Sequence, residues 1–257
     1  MKATLAGLGA KEALAGGGEG RVIASFPKAV YVSLPGGILV LVSPDVHPGP
    51  LYLVLDGPPP EVPAGAAVQA EGAHLRAGAA DISLGEARAW VGPLPSPAAL
   101  GRGAVLLAEV AGELAARSAL HADPFRDRAA RARASLEAGD LTEAVAHLAG
   151  LGPGLTPAGD DALAGLLFAR RVHEGEEAEP ALLSAAAGAR TTEIAAAFLS
   201  WAARGQALAP GHDLIGAAAK GDRKACEMAA GALARIGETS GADFALGITW
   251  AALVVAS

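Results

Sequence analysis

Two adjacent carboxylates, Asp160 and Asp161, follow the glycine-rich run Gly150-Leu151-Gly152-Pro153-Gly154-Leu155-Thr156-Pro157-Ala158-Gly159. Glycines allow a backbone to adopt positive φ and to approach a ligand closely. Thr156-Pro157 reads as a helix start, a capping hydroxyl followed by proline at the first helical position. A loop feeding a helix N-terminus gathers free N–H groups and the positive end of the helix dipole, which suits a small anion. The carboxylates add acceptors for Mg²⁺ or for a hydroxyl. On this reading Gly152, Gly154 and Thr156 bind the anion, while Asp160 and Asp161 are candidate catalytic or metal-binding acids.

The pattern recurs near the end of the chain. Within Glu238–Gly247, Gly241 falls on Gly159, Asp243 on Asp161 and Gly247 on Gly165. Each aspartate precedes its glycine by four residues, so the two share a helix face. Glycine inside a helix costs roughly 1 kcal/mol against alanine, so matched glycines predict a close helix–helix crossing near Gly165 and Gly247. That crossing would bring Asp161 and Asp243 towards a common floor. Asp243 thus joins the candidate acids and metal ligands, and Thr239, Ser240 and Gly241 the ligand-binding set. A plain capping role would account for Thr239 and Ser240 equally well.

A third hydroxyl-rich helix start is Arg190-Thr191-Thr192-Glu193. Either threonine could cap the following helix. Alternatively, Arg190 and the two hydroxyls could hold an anion, since arginine matches phosphate or carboxylate with bidentate geometry. His212-Asp213 and His47 are weaker candidates, on a turn and on a proline-rich loop. No nucleophile elbow, no phosphate loop ending in Gly-Lys-Ser/Thr and no His-Glu-x-x-His appears. Anion binding, with Mg²⁺ as a candidate ion, is the chemistry on offer.

The elements that must position these residues follow from the totals and the punctuation. The chain has 257 residues, 52% hydrophobic but only 4% aromatic, so alanine and small aliphatics must build close-packed helices. A net charge of −7 argues against a general nucleic-acid binder. The single Cys226 excludes an internal disulfide and fits a reducing compartment. Charged residues interrupt the first fifteen positions, and the uncharged terminal run, Phe244–Ser257, is short of a membrane span. A cytoplasmic protein is expected, without membrane or nucleic-acid partners.

After a possible short helix and glycine turn in residues 1–20, short Val/Leu/Ile-rich runs separated by Pro and Gly predict strands. They lie at Arg21–Ser25, Ala29–Leu34, Ile38–Val42 and Leu51–Leu55, with weaker ones to Val91. Pro35-Gly36-Gly37 predicts a hairpin. Beyond the stiff connector Gly92–Pro97 the pattern turns helical, with segments at Pro97–Leu120, Pro124–Ala138, Leu141–Ala149, Gly159–His173, Ala181–Ala187, Thr191–Arg204, Leu208–Lys220, Asp222–Ile236 and Gly241–Ala256. The expected fold is α+β: a β-rich barrel or sandwich over residues 1–95, then an all-α helical domain over 96–257 carrying the glycine loop and the acids.

The run Gly152–Asp161, with Thr191-Thr192 and Ser240-Gly241-Ala242-Asp243, resembles the motif series of the AllH-type family, named for a subunit of oxamate carbamoyltransferase in bacterial allantoin breakdown. The resemblance implies a part in moving a carbamoyl group between oxalurate and phosphate, giving oxamate and carbamoyl phosphate. It also implies other subunits of a carbamoyltransferase complex as partners. Ala158 and Ala195 depart from the pattern, which has serine at both places. Paired acids at helix starts also resemble the dinuclear Mg²⁺ sites of ADP-ribosylglycohydrolases, which makes a Mg²⁺-dependent hydrolase the alternative. A non-catalytic, anion-sensing scaffold subunit is the third reading.

Overall fold

Alternation in Ala29–Leu34 sends Val30, Val32 and Leu34 inward, while Gly37–Val42 is apolar on both faces and becomes a fully covered strand. In the computed structural model, which describes the backbone of residues 1–255 and side chains to Ala251, these are β3 and β4. They are joined by the hairpin that Pro35-Gly36-Gly37 predicts. The remaining strands are β1 (Ala3–Gly7), β2 (Gly18–Phe26), β5 (Tyr52–Leu55), β6 (Ala67–Glu71), β7 (His74–Ala77), β8 (Ala80–Ser83) and β9 (Arg88–Trp90). Ala3–Gly7 is a strand and not part of the early helix, which spans only α1, Leu8–Ala15.

All nine strands form one sheet in the order β8-β7-β6-β2-β3-β4-β5-β1-β9. Pairing is antiparallel except for β4 with β5 and β1 with β9. Lys2 bridges Ser83, and the Ser83 N–H donates to the Met1 carbonyl at 3.1 Å, so the sheet curls until its β8 edge meets the approach to β1. One curled sheet corrects the sandwich alternative in favour of the barrel-like one. Its interior is filled by Val30, Val32, Leu39, Leu41, Leu53 and Leu75, among others.

The chain divides into two compact units, Met1–Gly92 and Pro93–Ser257. The second is helical: α2 (Pro97–Ala115), α3 (Arg126–Glu137), α4 (Leu141–Leu148), α5 (Ala158–Glu174), α6 (Glu179–Gly188), α7 (Glu193–Ala203), α8 (Ala209–Lys220), α9 (Arg223–Leu233) and α10 (Ser240–Val255). Ser96 caps α2 ahead of Pro97, as the sequence predicts. That helix stops at Ala115 instead of Leu120, because Ser118 turns to an extended conformation and caps a 3₁₀ turn at Ala119–His121. The end expected for the last helix, Ala256, lies outside the described residues. Among the described residues no helix is long and apolar enough to cross a membrane.

Helix α5 is buried nearly all round, with Leu163, Leu166, Leu167 and Phe168 in the core. It crosses α10 where the glycines predict. A Cβ on Gly165 would stand 2.0 Å from the Phe244 carbonyl oxygen, and one on Gly247 would stand 1.9 Å from that of Ala162. The contact is reciprocal. Gly159 and Gly241 behave alike, their missing Cβ atoms lying 2.1 Å from Leu148 O and 1.8 Å from Leu233 O, at the ends of α4 and α9. The passages α4–α5 and α9–α10 therefore relate to one another as two copies of one helix–loop–helix.

Candidate functional site

The loop between α4 and α5 is held by residues that come from far along the chain. Gly150, Gly152 and Gly154 have φ of 66°, 121° and 97°, a left-handed region in which side chains are strained. Pro153 and Gly154 are exposed. No hydrogen bond is made by the N–H groups of Gly152, Gly154, Leu155 or Thr156 among the described residues. The first turn of α5 behaves otherwise: the Gly159 N–H donates to Leu151 O at 2.8 Å, and those of Asp160 and Asp161 both donate to Pro157 O. Free backbone donors thus sit in the loop, one step ahead of the helix end where the sequence places them. Pro157, without a side-chain cap, occupies the cap position assigned to Thr156.

The two threonines of α7 clamp this loop at both ends. Asp160, 2% exposed, accepts the Gly150 N–H at 3.1 Å on Oδ1 and the Thr191 hydroxyl on Oδ2. Thr192 accepts the Ala195 N–H at 3.0 Å, capping α7, and donates its hydroxyl to Leu155 O at 2.6 Å. Both hydroxyls expected on an anion are thus engaged with the protein, and Asp160 has both oxygens occupied. Arg190 is exposed, and its carbonyl oxygen would stand 3.0 Å from a Cβ on Gly150, so its backbone borders the loop.

Asp161 is the acid that keeps partial exposure. Its carboxyl is hemmed in all the same: burial raises its pKa well above the usual carboxylate value, the Ser240 and Thr156 hydroxyls oppose the rise, and the charges of Asp243 and Asp160 add to it. Asp161 and Asp243 do approach each other, as the glycine crossing requires. Asp243 is fully buried at 0% exposure. Its Oδ1 accepts the Ser118 hydroxyl at 2.6 Å and the Ala119 N–H at 3.0 Å. Burial raises its pKa, against the Ser118 and Thr239 hydroxyls and the Ala119 N–H. Thr239 comes near the carboxyl without a hydrogen bond to Oδ2, which has no partner. Asp160 is likewise raised by burial, opposed by Thr191 and Gly150.

Among the described residues no three His, Cys, Asp or Glu side chains are grouped to hold a metal ion, and Asp160 and Asp243 face the protein interior. Ala158 and Ala195 are buried too, at 8% and 1% exposure. Gly241 serves close packing against α9 and has no Cβ with which to touch a ligand. His212 is a structural residue: 2% exposed, it exchanges hydrogen bonds of 3.1 Å with Pro93 O and the Ala207 N–H. Ser118 is the residue the sequence reading passes over, because its only local sign is a helix ending early.

Residues 148–252 match the family model described as oxamate carbamoyltransferase subunit AllH, which supports an AllH-type assignment. The match begins at the last residue of α4 and takes in the glycine loop, the threonine clamp and both glycine–aspartate copies. No curated protein and no solved structure matches the chain.

Proposed function

We propose, from the AllH-type assignment of residues 148–252, that the chain is a subunit of an oxamate carbamoyltransferase-like enzyme. In this reading the Gly152–Thr156 loop holds the small anion, carbamoyl phosphate or oxalurate/oxamate. The observation that carries it is the set of loop N–H groups without partners in a clamped, glycine-shaped turn. Such donors compensate a phosphate or carboxylate without having to reorganise. Arg190 would add charge at the loop edge. Asp161, with Ser240 and Thr156 beside it, would accept an N–H of the carbamoyl group and orient it. Transfer would then rest on positioning and electrostatics, with partner subunits completing the site.

A thermal melt tests this, run with carbamoyl phosphate, oxamate, oxalurate, phosphate and ADP-ribose, each with and without Mg²⁺. A ligand at a hundred times its dissociation constant stabilises by about 2.7 kcal/mol, a rise of roughly 5–10 °C for a chain of this size. The expected result is a rise with carbamoyl phosphate or oxalurate, lost in Asp161→Asn while the unliganded melt stays in place. A rise only with ADP-ribose and Mg²⁺ would move the chain to the hydrolase alternative. An unaltered response in Asp161→Asn would remove that residue from the site.

A further inference from the structure

Helices α8 and α9 fold back on each other through the turn Gly221-Asp222. Gly221 ends α8 at φ 71°, and Asp222 caps α9 by accepting the Ala225 N–H at 3.0 Å. The pair leaves an open groove of about 520 Å³ along one side. Small residues make its floor, Gly216 and Ala217 from α8 with Ala225, Ala229 and Ala232 from α9. Beside that floor stands Met228, 68% exposed, although a long apolar side chain is normally covered.

Charge at the two ends of the groove runs in opposite senses along α9. One end carries Lys220 and Asp222, the other Asp213 and Arg235, and all four are exposed. Asp213, Lys220 and Arg235 form no ion pair among the described residues. The groove-lining order on α9 and its flanks is Asp222, Ala225, Met228, Ala229, Ala232 and Arg235. Their intervals of three, three, one, three and three residues read the same from either end. The charge, however, changes sign. A pattern symmetric in spacing and opposite in charge is complementary to itself under two-fold rotation.

We infer that this groove is the interface between two copies of the chain, related by a two-fold axis that passes between Met228 and Ala229. Antiparallel pairing of α9 with its copy then sets Arg235 against Asp222 of the second chain, Ala232 against Ala225, and Met228 over Ala229. The alanines let the two helices approach closely, and each Met228 enters the groove of the other copy. At either end two acids meet two bases, so the charges brought together are balanced. A helix of a different protein would have no need of the sign reversal between the two ends, whereas a second copy requires it.

Sedimentation of the full chain tests this. Wild type should dimerise, and Met228→Glu, which puts a charge into the seam, should weaken association ~10- to 100-fold. Arg235→Glu sets like charges together twice in each dimer, as does Asp222→Lys, so each variant alone should be monomeric. An equal mixture of these two variants restores both ion pairs and should dimerise. Helix circular dichroism checks that the variants fold, since Asp222→Lys also loses the α9 cap. A wild-type chain monomeric at ~100 μM, or a dimer indifferent to Met228→Glu, overturns the inference and leaves the groove to another subunit or to solvent. Two folded charge variants that stay monomeric when mixed overturn the two-fold register. None of these residues belongs to the glycine loop or its clamp, so the inference stands apart from the proposed function.

Discussion

Replacing Gly165 by alanine sets two well-known effects against each other at one atom. In an open helix the change would stabilise by about 1 kcal/mol. At this position the new Cβ would lie 2.0 Å from the Phe244 carbonyl oxygen, a backbone atom that cannot swing aside. Restoring an ordinary 3.4 Å contact requires α5 and α10 to part by about 1.4 Å at their crossing. Overpacking of this kind costs ~1–3 kcal/mol or more, and a backbone clash belongs at or beyond the upper end. The expected net loss is about 2–3 kcal/mol, or roughly 5–10 °C in melting temperature. Gly247→Ala should match it, with its Cβ 1.9 Å from Ala162 O. Gly112→Ala, in α2 with no atom within 4 Å, should move the other way by the full propensity gain. Unfolding followed by helix circular dichroism reads all three. A Gly165→Ala protein as stable as Gly112→Ala would refute the close crossing, and with it the juxtaposition of Asp161 and Asp243.

Thr192 has two duties that chemistry can separate. Thr192→Ser keeps donor and acceptor, whereas an ionised aspartate keeps the cap to Ala195 but cannot donate to Leu155. Amide exchange at Gly150 and Gly159, whose N–H groups are bonded at the two ends of the loop, should accelerate on the order of five-fold in Thr192→Asp and stay unchanged in Thr192→Ser; equal protection in the two would show that this bond does not hold the loop. His212 gives a pH dependence, because burial lowers its pKa to about 4, against a partial rise from its bond to Pro93 O. A histidine depressed on folding contributes stability in full above its unfolded value of 6.5, and that contribution fades as pH falls towards 4. The gap amounts to about 3 kcal/mol. Denaturant titrations should therefore show wild type losing more stability than His212→Gln between pH 6.5 and 4, and parallel curves would contradict the burial of the ring.

What could be read from the sequence was whatever a local period or a repeated spacing encodes. The β3–β4 hairpin announces itself through Pro35-Gly36-Gly37, and the α5–α10 crossing through two glycines each four residues after an aspartate. The pairing of Asp243 with Ser118 spans 125 residues and leaves no local trace beyond a helix that stops early. The threonine pair is legible as a helix cap. Its hold on Asp160 and Leu155 is not, because hydroxyl partners 31 and 37 residues away depend on how α7 docks. Strand β1 was hidden for a different reason: Ala3–Gly7 is short and alanine-rich, and it becomes a strand because β5 and β9 flank it.

The clamp on the glycine loop has a thermodynamic corollary. Five residues with three glycines close by would ordinarily sample many conformations, and a guest would have to freeze them on arrival. With Gly150 tied through Asp160 to Thr191, and Leu155 tied to Thr192, that ordering is completed when the chain folds. In the proposed function, an anion meeting this turn would encounter donors already in place. Its association should carry a small entropic penalty and a rate set by diffusion and charge more than by rearrangement of the loop.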